Sequence, residues 1–140
     1  MDASETSASL EQSEKKNFSF PRKEKLKSRK LIDQLFLEGK SVKIKSVKLI
    51  FLQTDHIEDI RFQVGFTVPK KNFKSAVKRN RIKRLLREGY RLNKPHLFNN
   101  SKGNFAFLFL YLGKEMPDYH VVEQNIQAIL LKFIKQTTDE

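Results

Sequence analysis

The stretch that decides the interpretation of this chain runs from Lys70 to Arg91 and reads KKNFKSAVKRNRIKRLLREGYR. Its 22 positions hold ten basic residues and one acid, Glu88. Such a density of one charge repels itself and is stable beside a polyanion, of which a nucleic acid backbone is the commonest. The stretch therefore predicts a surface that binds nucleic acid.

The same stretch predicts an amphipathic helix from about Ser75 to Leu92. At 100° per residue its apolar positions share one side, namely Ile82, Leu85, Leu86 and Gly89. The opposite side collects Asn80, Lys83, Arg84, Arg87 and Arg91, with Arg79 and Arg81 at the boundary. Solvated helix faces usually mix acids with bases, so a single acid favours a ligand-binding face. Lys70, Lys71 and Lys74 precede the helix N-terminus, where the helix dipole adds attraction for phosphate.

Composition narrows the function classes further. The 140 residues carry a net charge of +12, with a pI near 10.0. The first 14 residues hold four acids and no base, and the chain from Leu92 onward is neutral, so the positive charge is concentrated between them. Absence of cysteine excludes disulfides and thiolate metal sites. No secretory signal is apparent, and the longest apolar run, Phe105 to Leu112, falls short of the ~20 residues of a membrane helix. We expect a cytoplasmic protein.

The N-terminal half predicts a tail, a helix and strands. Residues 1–17 are polar and acidic and are expected to be disordered, and 21–27 should be extended. Ser28 as N-cap and Gly39 as stop delimit a helix at 29–38. Two strands follow, at 46–54 and at 60–68, where Ile60, Phe62, Val64, Phe66 and Val68 alternate with less apolar residues. Residues 41–45 could form a further short strand.

The C-terminal half predicts a loop, a strand and a helix. A loop is predicted at Asn93, at Pro95 and at residues 99–103. An interior strand is predicted from Phe105 to Leu112, because this run is apolar on both faces. The last helix begins near Pro117 and carries an apolar stripe of Val122, Ile126, Ile129, Leu130 and Phe133. The chain is thus expected to be one α+β domain at 18–137, an α-β-β-β-α-β-α sandwich with helices on a small mixed sheet, followed by a tail at 138–140.

The motif Lys70-Lys71 followed by AVxRNRxKRxxRE from Ala76 to Glu88 closely resembles the protein subunit of bacterial ribonuclease P. The resemblance extends from about Pro21 to Gln136, in the same element order. It implies a ribosomal protein S5 domain 2-like fold, with a left-handed βαβ crossover that contains the basic helix. It also implies an endoribonuclease that works as a ribonucleoprotein, in which the RNA subunit catalyses Mg²⁺-dependent removal of the 5′ leader of precursor tRNA. The protein would contribute no catalytic residue and bind no metal through its own side chains.

The resemblance also assigns residues to two RNA surfaces. Arg79, Asn80, Arg81, Lys83, Arg84 and Arg87 would face the RNA subunit, beside Lys70, Lys71 and Arg91 from the charge pattern. A cleft between the first helix and the sheet would take the single-stranded leader, lined by Ile32, Phe36, Lys48 and Ile50. The family usually has aromatic residues at Ile32 and near Ile50, so base stacking should be weaker here. The link Asn72 to Ser75 is one residue longer than usual. Phe36 and Phe73 are the candidates for base contact.

Other functions have weaker support. The runner-up is a generic RNA-binding or ribosome-associated protein with no role in cleavage. A DNA-binding protein would usually need a helix-turn-helix frame, whereas strands flank the basic helix here. His56, His96 and His120 are scattered without ligand spacing, and Asp55, Glu58 and Asp59 fall in a predicted turn where acids are ordinary. The expected partners are the RNA subunit and precursor tRNA, with no membrane and no obligate protein partner.

Overall fold

The structure is a computed structural model that describes residues 20–54 and 60–138. These residues form three helices and one four-stranded sheet. The helices are α1 (Arg29–Glu38), α2 (Ala76–Asn100) and α3 (Tyr119–Thr138), and the strands are β1 (Lys40–Ile44), β2 (Val47–Thr54), β3 (Phe62–Thr67) and β4 (Asn104–Tyr111). The predicted order of elements is confirmed, including the additional short strand. The predicted tail at 1–17 and the acidic turn at 55–59 lie outside the described residues.

The sheet is mixed, as predicted, with the strand order β1-β2-β4-β3. β1 and β2 are antiparallel, β2 and β4 are antiparallel, and β3 and β4 are parallel. The interior position of β4 explains its sequence, since seven of its eight residues are buried. The chain passes from β3 to β4 through α2, so the basic helix is the crossover of a parallel strand pair.

The sheet separates two hydrophobic clusters. The larger lies against α2 and α3 and contains all five residues of the predicted α3 stripe. Aromatic rings fill it, with the Phe107 ring 5.0 Å from Phe62 and 4.8 Å from Phe133 between centroids. The smaller cluster lies under α1 and is built from Leu35, Ile50, Ala106, Leu108 and Leu110. The opposite sheet face is therefore only partly covered, because α1 is a short helix.

Helix α1 has the predicted bounds. The Ser28 hydroxyl accepts a hydrogen bond from the Leu31 backbone N–H at 3.2 Å, and the Gly39 N–H donates to the Leu35 carbonyl at 2.9 Å. Gly39 is required here by close packing. A Cβ at this position would meet the Leu35 carbonyl oxygen and lie 2.7 Å from Cγ2 of Ile50.

We therefore expect Gly39→Ala to lower the free energy of unfolding by about 1–3 kcal/mol, the usual cost of overpacking. Urea denaturation would measure it, with the exposed neighbour Glu38→Ala as the matched control. An unchanged midpoint for Gly39→Ala would show that α1 can move away from β2 without loss.

The predicted end of the basic helix near Leu92 is wrong, since α2 continues through Asn93 and Pro95 to Asn100. Proline removes one backbone N–H from the helix, but tertiary contacts compensate. Lys94 pairs with Glu24, and Leu97 is completely buried. At the C-terminus, Arg61 donates hydrogen bonds to the carbonyls of Phe98, at 2.8 Å, and of Ser101. Long-range contacts thus override the local signals.

The segment 21–27, predicted to be extended, contains a 3₁₀ turn at Arg22–Glu24. The Glu24 N–H donates to the Pro21 carbonyl at 3.0 Å, and the Lys25 N–H to the Arg22 carbonyl at 3.1 Å. Lys25 then forms a parallel bridge with Val64 of β3. The turn therefore points Glu24 at α2 while the following residues return to the sheet edge.

Candidate RNA interface

Helix α2 presents the predicted cationic face. The Ser75 hydroxyl accepts from the Lys78 N–H at 3.3 Å and starts the helix. Ile82, Leu86 and Gly89 are buried, and Leu85 is partly buried against the same cluster. This packing leaves four residues of the predicted face exposed, here called the cationic stripe: Asn80, Arg81, Arg84 and Arg87. Lys83 is half-buried beside them.

The arginines of the cationic stripe are available for a ligand. Among the described residues, no hydrogen bond or ion pair engages Arg81, Arg84 or Arg87. Guanidinium groups bind phosphate through two parallel hydrogen bonds and also stack on bases. The geometry therefore suits an RNA backbone, although the contact itself stays a prediction.

Arg79 is placed differently from the other predicted arginines. It is half-buried, and its Nη1 donates to the Phe73 carbonyl at 2.8 Å and to the Lys74 carbonyl at 2.9 Å. The guanidinium thus holds the loop that leads into α2. Phe73 in that loop is 7% exposed and packs near the Tyr111 ring, so its candidacy for base contact is wrong.

Arg91 lies in a local ion pair at the far end of the predicted face. Its Nε donates to Glu88 at 3.0 Å and its Nη2 at 2.5 Å. These hydrogen bonds lower the pKa of Glu88 and raise the pKa of Arg91 relative to their ordinary values. Glu88, the single acid between Lys70 and Arg91, therefore neutralises only Arg91 at the end of the face. The arginines of the cationic stripe keep their positive charge.

A groove lies between α1 and the sheet, where the leader cleft was predicted. Its volume is about 210 Å³, and it contains three of the four predicted residues, Phe36, Lys48 and Ile50. Ile32 packs instead against the small core under α1. The remaining lining is Leu35, Gly39, Ser41, Leu110 and Leu112. Leu110 could have been found only from the strand pairing, which sets it opposite Lys48.

The groove continues toward the start of α2. Leu112 also lines a second, more open hollow of about 620 Å³ with Lys71, Asn72 and Lys114. The Asn72 side chain donates to the Leu112 carbonyl at 3.2 Å, which ties the loop before α2 to the end of β4. Lys70, Lys71 and Lys114 are exposed. Leu112 thus connects the groove to a hollow lined by Lys71 and Lys114. Lys114 had not been identified from the sequence.

The described residues offer neither a metal site nor a membrane-spanning helix. In residues 20–54 and 60–138, no group of three or more histidine, cysteine, aspartate or glutamate side chains could hold a metal ion. Asp55, His56, Glu58 and Asp59 lie outside these ranges. Nor does any helix in the described part of the chain have the length and apolar character to cross a membrane.

The chain is similar to proteins of one family. The family profile described as Ribonuclease P matches residues 20–134. The ribonuclease P protein component of Porphyromonas gingivalis is 34% identical over 119 residues, covering 82% of this chain and 86% of the relative. That of Chlorobium phaeobacteroides is 35% identical over 127 residues, covering 80% and 86%.

Solved structures share the fold. The ribonuclease P protein of Staphylococcus aureus has a TM-score of 0.63 at 21% identity and covers 81% of this chain and 96% of its own. That of Thermotoga maritima has a TM-score of 0.62 at 24% identity and covers 77% and 96%.

Fold and site together define a small α+β protein with an arginine-rich helix exposed at its surface. The chain belongs to the family of ribonuclease P protein components. Ribonuclease P is an endoribonuclease of tRNA processing, and membership implies partnership with an RNA subunit.

Proposed function

We propose that this chain binds the RNA subunit of ribonuclease P through the cationic stripe and holds the 5′ leader of precursor tRNA in the groove under α1. Cleavage belongs to the RNA subunit, which also binds the required Mg²⁺. The observation that carries this proposal is the set of exposed arginines on α2 without a partner in the described residues, next to a separate groove with an aromatic wall.

The chemistry of the two surfaces explains why each is assigned a different RNA ligand. A rigid helix with bidentate donors suits a folded RNA backbone. A narrow groove with Phe36, apolar strand residues and Lys48 suits a single strand, whose bases stack while its phosphates meet lysine. The shared residue Leu112 supports a continuous path from the groove toward Lys71 and α2.

Reconstitution tests the proposal directly. The protein is mixed with a bacterial ribonuclease P RNA at a low Mg²⁺ concentration, and 5′ cleavage of precursor tRNA is measured. Stimulation of cleavage over RNA alone is expected. RNA binding without stimulation would favour a generic RNA-binding protein and reject the proposed function.

The groove makes a separate prediction. Phe36→Ala should weaken binding of leader-bearing precursor by about 1–3 kcal/mol, the usual contribution of one base stacked on an aromatic ring. Affinity for mature tRNA and for the RNA subunit should be unchanged. Phe36 is 57% exposed, so its truncation should affect folding little.

Leu37→Ala is the matched control for this prediction, since Leu37 is the next residue, is 84% exposed and does not line the groove. Binding of precursor and of mature tRNA to the holoenzyme would be compared by titration. Equal losses of affinity for both tRNAs in Phe36→Ala would contradict the assignment of the groove to the leader.

A further inference from the structure

A second concentration of positive charge lies just before α1 and in its first turn. The segment Arg22–Lys30, here called the basic strap, contains six bases and one acid, Glu24. All six basic residues are exposed, and within the described chain none of them has a hydrogen bond or ion pair through its side chain: Arg22, Lys23, Lys25, Lys27, Arg29 and Lys30. The basic strap therefore offers six unengaged cations, against three arginines in the cationic stripe.

The one acid of the basic strap is withdrawn from the surface. The Glu24 carboxylate lies 2.5 Å from Nζ of Lys94, and the two side chains are 13% and 4% exposed. The pair neutralises Glu24 inside the protein, and the outward surface keeps only positive charge. Burial of the only acid leaves an exposed surface of one charge sign, and such a surface favours a polyanionic ligand.

The basic strap is also held in a fixed place. The Leu26 N–H donates to the Val64 carbonyl of β3 at 2.9 Å, and Lys25 bridges the same residue. Just before the basic strap, the Phe20 ring packs edge-on against Phe66 and Tyr90. The backbone around Lys25 and Leu26 is therefore fixed at the outer edge of β3, where binding would require little loss of backbone entropy.

The basic strap continues the surface of α2. Successive residues advance 100° around a helix, so Lys94 shares a side with Asn80, Arg84 and Arg87. Asn80 and Lys94 lie about 21 Å apart along the axis at 1.5 Å per residue. The Glu24–Lys94 pair stands where this side of α2 meets the basic strap. The basic strap therefore packs on the C-terminal part of the same side of α2 whose N-terminal part carries the cationic stripe.

We propose that the basic strap is a second part of the interface with the RNA subunit and contacts its backbone phosphates. This inference rests on the proposed function, because it takes the cationic stripe as the first part. The groove residues lie on α1, β1, β2 and β4 or next to them, whereas Lys23, Lys25 and Lys27 of the basic strap precede α1, and Lys25 pairs with β3 at the opposite edge of the sheet. The RNA subunit is therefore favoured over the leader as its partner.

The test is a salt titration of binding to the RNA subunit. The triple variant Lys23→Gln, Lys25→Gln and Lys27→Gln removes three exposed charges of the basic strap. The magnitude of the slope of log K against log salt concentration should fall by about 3, and the affinity near physiological salt by about 10- to 100-fold, as expected for three lost phosphate contacts. Unchanged circular dichroism and thermal midpoint would show that the variant is folded.

The matched control has the same net charge. It is the triple variant Lys102→Gln, Lys132→Gln and Lys135→Gln, which removes three exposed lysines from the loop before β4 and from α3. Its slope should be unchanged. Equal slope changes in both triple variants would overturn the inference, because net charge alone would then explain them. So would a strap variant that binds the RNA subunit normally, including one that loses only precursor affinity.

The two proposals can fail separately. If the basic strap contributes nothing, its variant behaves as the control while substitutions in the cationic stripe still weaken binding. If the proposed function itself is wrong, the unaltered protein fails to stimulate cleavage in the reconstitution.

Discussion

Replacing Arg84 and Arg87 together with glutamine is expected to weaken binding to the RNA subunit by about 1–3 kcal/mol for each arginine, the range for hydrogen bonds to charged groups. Both side chains are exposed and have no partner among the described residues. The substitution should therefore leave the fold intact and remove only contacts with the ligand. Filter binding over a range of salt concentrations would measure the loss of affinity, together with a shallower salt dependence.

A matched control is the double variant Lys132→Gln and Lys135→Gln, which removes the same charge from the exposed side of α3. Its affinity should stay close to that of the unaltered protein. If Arg84→Gln and Arg87→Gln bound the RNA subunit with undiminished affinity, the assignment of α2 as the RNA-binding element would be rejected.

Glu24→Ala is expected to lower the free energy of unfolding by about 3–5 kcal/mol, the usual cost of breaking a buried ion pair from one side. The Lys94 side chain is only 4% exposed, and it also lies over the Phe98 ring at 5.1 Å. Removal of the carboxylate takes away the charge that balances this buried ammonium. Urea denaturation, analysed as a two-state transition, would measure the loss.

The double variant Glu24→Ala and Lys94→Met separates charge from packing. Methionine keeps much of the lysine stem's volume and has no charge, so the double variant should recover much of the lost stability. Equal destabilisation of the single and the double variant would show that the ion pair matters little and that the cost lies in lost packing of the basic strap on α2.

The order of elements could be predicted because most of them carry complete local signals. The alternation around Val64 marks β3, and the stripe from Val122 to Phe133 marks α3 at helical spacing. The length of α2 could not be predicted in this way. Pro95 is a local stop signal, and it is outweighed by Glu24 and Arg61, both remote in sequence. The strand order could not be predicted either, since no local sequence signal places β4 between β2 and β3.

The candidate site shows the same division. Helical periodicity alone was enough to predict that Arg84 and Arg87 lie on the exposed face of α2. It could not reveal that Arg79 is engaged by the carbonyls of the preceding loop, because that loop's path depends on its packing. The family resemblance predicted the groove residues Phe36, Lys48 and Ile50, whereas Leu110 and Leu112 could be recognised only from the pairing of β4 with β2.

The parallel pairing of β3 with β4 has a kinetic consequence. It joins Phe62 to Phe105, and the whole of α2 lies in the chain between them. Closing so distant a pair carries an entropic cost that local hairpins avoid, which makes it a slow event in folding. The sheet can be completed only when the intervening helix has compacted. A newly synthesised chain should therefore present the cationic stripe and the groove in their final arrangement only once it has acquired its complete topology.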